Sequence, residues 1–184
     1  MSTSLPLVRT VIIGLLLTPF APLAHLCAAG PVTATVDFSP LAQAKLERYG
    51  KDESAVLQAR IQSAVVRACE KANVPAGIAF AVTVEDIAPT HPTPEQLNAS
   101  PALDPVKTHY LGGADLTGYL RDSHNQVLAT VKHRYFPPSV NWRSRSFDPW
   151  ADANVAIEQF ADHMGAACRR VPGGLAATRI NGSH

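Results

Sequence analysis

The sequence predicts an α+β fold in which two helices pack on one face of a mainly antiparallel sheet, in the order β-α-β-β-β-α. Three observations support this prediction. Apolar and polar residues alternate between Val32 and Phe38, apolar residues recur at helical spacing between Asp52 and Ala72, and two β-prone segments are joined by a short polar turn. A helical layer on an antiparallel sheet would bury the apolar faces of both.

The first strand covers residues 32–38 and ends before Pro40, and residues 41–49 follow as a short helical turn. The long helix begins at Asp52, a suitable N-cap, and ends at Asn73 and Pro75. Its apolar face contains Leu57, Ile61, Ala64, Val65, Ala68, Cys69 and Ala72. This spacing predicts a helix that covers the sheet.

The second strand covers residues 77–87, and its mostly apolar composition favours a central position under a helix. Five prolines between residues 88 and 107 predict a long surface loop. Residues 114–121 and 127–136 form a hairpin around the polar turn at 122–126. The last helix opens at Asp148-Pro149 and ends before Pro172.

The N-terminal residues are typical of a secretory signal peptide. Arg9 precedes the short apolar run from Val11 to Leu17, and small residues follow up to Ala29. We expect cleavage after Ala29, which would leave a single domain at 30–172 and a flexible tail at 173–184. A lipoprotein is not expected, because Leu26 stands before Cys27 where a small residue would be needed. The sequence therefore predicts a periplasmic or secreted protein.

Charge argues against a nucleic-acid partner, and hydropathy argues against a membrane span after residue 30. The chain has 184 residues with 16 basic and 15 acidic side chains, and Arg9 is lost with the signal, so the mature chain is near neutral. Nucleic-acid binding domains are usually basic, and we expect no nucleic-acid partner. No apolar stretch after residue 30 is long enough to span a bilayer.

Two cysteines remain after cleavage, Cys69 and Cys168, each near the end of a predicted helix. An even pair in an oxidising compartment predicts one disulfide, with two buried thiols as the alternative. No motif for hydrolysis, phosphate binding or metalloprotease chemistry is present. His91 and His109 flank the proline-rich loop and are able to meet in space, but we expect no metal ion and no cofactor.

Arginine and aromatic side chains are interleaved between residues 132 and 150, with no acidic residue between Asp122 and Asp148. These residue types are common in binding hot spots. The alternative is that the aromatic side chains pack onto the core while the charges face water. The candidate binding residues are Arg134, Tyr135, Trp142, Arg143, Arg145 and Trp150.

The segments Val82–Thr90 and Leu111–Gly118 resemble families of uncharacterised proteobacterial envelope proteins, which are domains of unknown function. The resemblance covers residues 78–165 and implies a periplasmic or secreted location, but it brings no catalytic residues. Some of those proteins are lipoproteins. This chain differs from them, because the residues before its Cys27 do not match a lipoprotein signal.

Three functions follow as expectations. The first is a non-enzymatic envelope domain that binds a protein or a cell-envelope polymer. The second is a periplasmic enzyme of an unrecognised type, with His109, Asp115 and His133 as acid–base candidates because they border the loop and the hairpin. The third is a structural domain that forms a homodimer through an exposed strand.

Overall fold

A computed structural model describes residues 32–139 and 147–171. In chain order the elements are β1 (Ala34–Phe38), α1 (Pro40–Tyr49), α2 (Glu53–Lys71), β2 (Ala79–Ala88), α3 (Pro94–Ala99), β3 (Gly113–Arg121), β4 (Val127–Tyr135) and α4 (Ala151–Cys168). The signal peptide and the tail predicted at 173–184 lie outside the described residues.

The four strands form one mixed sheet in the order β1-β2-β3-β4. The pairings β2–β3 and β3–β4 are antiparallel, whereas β1 runs parallel to β2. The α+β class is confirmed, but the predicted antiparallel character is only partly correct. The parallel pair is explained by the connection, because α1 and α2 carry the chain back along the sheet, as a crossover between parallel strands requires.

The predicted element order is also only partly correct, because two further helices interrupt it. The sequence predicted α1 as a short helical turn, but it is a ten-residue helix whose N-cap Ser39 accepts a hydrogen bond from the Ala42 amide. The second is α3, which lies within the predicted proline-rich loop. Thr93 and Gln96 form a capping box there, and Pro94 occupies the first turn, so proline begins this helix rather than preventing it.

The proline-rich segment is not entirely a surface loop. Thr90, His91 and Thr93 are buried. The Thr90 amide donates to the Pro149 carbonyl at 2.6 Å, and the Thr90 hydroxyl accepts from the Asp152 amide at 2.9 Å. These bonds tie the segment to the start of α4 and satisfy its backbone groups, which is what allows it to be buried.

The core lies between the sheet and the pair of long helices. Helix α2 packs over β1, α4 packs over β3 and β4, and the two helices contact each other. At that contact a Cβ on Gly165 would lie 3.0 Å from the Ala68 carbonyl oxygen. Small residues therefore bring the C-terminal halves of α2 and α4 close together.

Gly113 is the first residue of β3 and lies close to the end of β4. Its φ is +148°, and an added Cβ would overlap the carbonyl oxygen of Tyr135. Gly113 therefore marks a close approach between the backbones of β3 and β4. We expect Gly113→Ala to lower the free energy of unfolding by about 3 kcal/mol, since backbone strain and overlap both oppose it.

Urea denaturation followed by circular dichroism would measure that loss. Gly77→Ala is the matched control, because Gly77 also has a positive φ of +84° but a new Cβ would meet only the Ser123 Cβ, at an ordinary contact distance of 4.0 Å. Gly77→Ala should lower the free energy of unfolding by about 1 kcal/mol, from backbone strain alone. Equal losses in the two variants would contradict the assigned overlap at Gly113.

Candidate functional site

The described part of the predicted binding segment divides between two faces of the sheet. Arg134 lies on the outer face, where its Nη1 is 2.9 Å from Asp115 Oδ2 and its guanidinium stands over the Phe136 ring at 4.7 Å. Tyr135 is partly buried and packs against the core. Successive strand residues point to opposite faces, so Arg134 and Tyr135 do not form one surface. Trp142, Arg143 and Arg145 lie outside the described residues.

Trp150 lies in the core. Its side chain is 2% exposed, its Nε1 donates to Glu53 Oε2 at 2.6 Å, and its ring packs edge-on against Tyr49 at 5.7 Å between centroids. A buried tryptophan with a hydrogen-bonded N–H has the environment of a packing residue. This burial favours the packing alternative that the sequence left open for Trp150.

The structure does not bring together the acid–base candidates of the enzyme hypothesis. Asp115 pairs with Arg134 on the outer face, whereas His133 faces α4, where its Nε2 is 3.1 Å from Gln159 Oε1. Asp115 and His133 thus lie on opposite sides of the sheet. His109 lies against His91, with 4.4 Å between the ring centroids, so these two histidines meet as the sequence allowed.

An open groove runs between β4 and the C-terminal half of α4. It has a volume of about 470 Å³, within the range of ligand-binding pockets. One wall is residues 128–132 of β4, and the other is formed by α4 and the residues just after it. The full lining is Leu128, Ala129, Thr130, Val131, Lys132, His163, Ala166, Ala167, Arg170 and Val171.

The groove exists because β4 is the last strand of the sheet and small side chains face it. Among the described residues, no strand pairs with the outer side of β4. Ala129 on the strand and Ala166 and Ala167 on the helix leave space that larger side chains would fill. A nine-residue edge strand presents unpaired N–H and C=O groups, which are able to pair with another extended chain.

The groove combines apolar surface with positive charge. Leu128 is 41% exposed at one end, although a side chain of this size is usually buried in a small domain. The ionisable residues of the lining are Lys132, His163 and Arg170, and all three are exposed. No acidic residue lines the groove, and neither Lys132 nor Arg170 forms an ion pair with another described residue.

Cys69 and Cys168 meet beneath the contact between α2 and α4. Their sulfur atoms are 2.8 Å apart and both side chains are buried. This separation exceeds the roughly 2.05 Å of a disulfide bond, so the two residues are free thiols in this structure. The hydrogen bond with Cys168, together with burial, raises the pKa of the Cys69 thiol above its ordinary value. Cys69 is therefore protonated at neutral pH.

Within the ranges 32–139 and 147–171, no helix is long and apolar enough to cross a membrane. In the same ranges, no three His, Cys, Asp or Glu side chains are grouped so that they would hold a metal ion. The His91–His109 pair supplies two ligands where a zinc site needs three or four.

The fold and the groove define an α+β domain in which the open edge of β4 lies beside a helix. Comparisons with protein-family models, with curated proteins and with solved structures find no match to this chain. The resemblance to proteobacterial envelope proteins thus stays a prediction.

Sequence reasoning missed the groove, although two signals of it are present. The hairpin strand that ends in Pro137-Pro138 has no later β-prone segment to pair with in residues 147–171, which indicates an edge strand. The run Gly165-Ala166-Ala167 near the end of the last helix indicates a place where that helix has little side-chain volume. Neither pattern indicates that the edge strand and the Gly165-Ala166-Ala167 run face each other.

Proposed function

We propose that this chain is an exported bacterial envelope protein whose mature domain is a non-enzymatic binding module. In this proposal the groove between β4 and α4 binds an extended segment of a protein partner, which pairs with the free edge of β4 as a fifth strand. The observation that carries the proposal is the open strand edge beside a helix, with a volume of about 470 Å³ between them. Strand addition at such an edge is a recurring mode of peptide recognition.

The groove supplies both parts of that recognition mode. Unpaired backbone groups of β4 give affinity for any extended chain, and the space left by Ala129, Ala166 and Ala167 accepts side chains that point from the ligand towards α4. Residues 128–132 span about 17 Å as a strand, which corresponds to about five ligand residues.

A selection from a library of random nine-residue peptides tests this function. We expect selected peptides to bind the domain and to lose at least tenfold in affinity to Ala166→Leu, since the larger side chain fills the groove. N-methylation of alternate ligand amides should weaken binding similarly, because it removes the donors that pair with β4.

Val155→Leu is the matched control, because Val155 lies on α4, is 42% exposed and does not line the groove. The Val155→Leu variant should bind the selected peptides with the same affinity as the wild type. The proposal fails if no peptide binds, or if selected peptides bind Ala166→Leu as tightly as the wild type. Unfolding curves of both variants would verify that the fold is retained.

We also propose export and oxidation of this domain. The signal-like residues 1–29 support cleavage after Ala29, and the contact between the Cys69 and Cys168 sulfur atoms supports a disulfide in an oxidising compartment. An intact mass that matches residues 30–184 would agree with export and cleavage. Alkylation of both cysteines only after reduction would agree with the disulfide. A mass that retains residues 1–29 would contradict export with cleavage.

A further inference from the structure

The charge of the groove points to the chemical class of its partner. We propose that the fifth strand is supplied by an acidic segment of another protein, whose apolar side chains enter the groove towards α4 and whose carboxylates meet Lys132 at the strand edge and Arg170 at the end of the groove. This inference rests on the proposed function, because it assumes that a peptide binds along β4. It adds the requirement that the peptide be acidic.

Every ionisable residue that lines the groove is basic. Lys132 lies on the edge strand, with its side chain on the same face of the sheet as that of Arg134, and Arg170 lies just beyond α4. Three arginines outside the groove have acidic partners, namely Arg60 with Asp148, Arg67 with Glu158 and Arg134 with Asp115, whereas the described Arg48, Arg121 and Arg169 form no ion pair with another described residue. The groove cations lack such partners and are available to carboxylates of a ligand.

The same groove would also admit a second copy of this chain. A second copy would pair β4 with β4 about a twofold axis, which brings Lys132 and Arg170 of one copy towards the same residues of the other. Like charges across an interface oppose association. Charge complementarity therefore disfavours a homodimer through this edge.

The chain's own terminal residues are also a poor match in charge. Residues 172–184 contain Arg179 and no aspartate or glutamate, and residues 1–31 likewise contain no acidic residue. Neither end supplies side-chain carboxylates to the groove. An acidic segment of another protein is the occupant that satisfies the strand edge, the apolar floor and the charge together.

The experiment uses three fluorescein-labelled nine-residue peptides in which valine alternates with glutamate, glutamine or lysine. Fluorescence anisotropy with the exported protein would give their affinities at low and at raised NaCl concentration. We expect the glutamate peptide to bind about tenfold more tightly than the glutamine peptide and the lysine peptide to bind most weakly. Added salt should reduce this preference, because exposed charges are screened.

The double variant Lys132→Glu/Arg170→Glu should reverse the order, so that the lysine peptide binds best. The matched control is Lys51→Glu/Lys107→Glu, which makes the same change in net charge at exposed residues that do not line the groove. The control should keep the preference for glutamate, apart from a small general effect of net charge. A reversal in the control as well would overturn the assignment to the groove.

The remaining outcomes separate the two proposals. If the glutamine peptide binds as tightly as the glutamate peptide, strand addition stands and the acidic requirement is overturned. If none of the three peptides binds, both proposals fail. A wild-type dimer in sedimentation that Ala166→Leu abolishes, together with no binding of the glutamate peptide, would assign the edge to a second copy. Equal displacement of the peptide by inorganic polyphosphate, without protection of β4 amides from hydrogen exchange, would assign the cations to a non-protein polyanion.

Discussion

Replacing Trp150 with alanine is expected to lower the free energy of unfolding by about 3–5 kcal/mol, the usual cost of truncating a buried aromatic side chain. The indole is 2% exposed, and it contacts Tyr49 and Glu53 from two other elements of the fold. Its removal leaves a cavity and also leaves the Glu53 carboxylate without its indole partner. Urea denaturation monitored by circular dichroism would measure the change.

Trp150→Phe separates the two contributions. The smaller ring retains most of the apolar contact with Tyr49 but donates no hydrogen bond to Glu53, and a hydrogen bond to a charged group contributes about 1.5–3 kcal/mol. We therefore expect the free energy of unfolding of Trp150→Phe to lie between that of the wild type and that of Trp150→Ala. Surface substitutions usually change the free energy of unfolding by no more than about 0.5 kcal/mol. If Trp150→Ala changes it by no more than this, the packing role is wrong.

Oxidation of Cys69 and Cys168 to a disulfide is expected to raise the free energy of unfolding by about 4–5 kcal/mol, because the bond would close a loop of about 100 residues in the unfolded chain. The two sulfur atoms already meet inside the core, at a contact between α2 and α4 that small residues make close. The measurement is urea denaturation of the oxidised protein with and without a reductant.

The double variant Cys69→Ala/Cys168→Ala is the control for that experiment. Its stability should not respond to reductant, whereas that of the oxidised wild type should fall on reduction. A wild-type protein that is insensitive to reductant, although alkylation shows both thiols blocked before reduction, would contradict the expected stabilisation. Two thiols that stay free after purification from the envelope would contradict the disulfide itself.

These predictions have different origins in the sequence. Helical periodicity places Cys69 and Cys168 on the apolar faces of their helices, and the packing of α2 against α4 brings the two sulfur atoms together. The burial of Trp150 does not follow from the sequence in this way. An aromatic residue beside arginines is common both in binding surfaces and in packed loops, and its partners Glu53 and Tyr49 are about 100 residues away in the chain. Only the tertiary structure distinguishes the two environments.

The sequence by itself determined the elements whose periodicity is strong. The α+β class, the two long helices and the four strands follow from apolar spacing, because burial on one face requires a period of 2.0 or 3.6 residues. Helix α3 was missed because proline density was interpreted as a loop, although Thr93, Pro94 and Gln96 form a helix start. The parallel pairing of β1 and β2 was missed because periodicity is the same in parallel and antiparallel strands.

The tertiary structure decided the candidate site. Arg170 and Lys132 are 38 positions apart, and Ala129 and Ala166 are similarly distant, so no local pattern reports that they share a groove. The groove depends on which strand stands at the sheet edge and on where α4 crosses it, and both result from packing the whole core. Local spacing fixes which face of an element is apolar, whereas the contacts between elements fix which faces meet and which edge stays open.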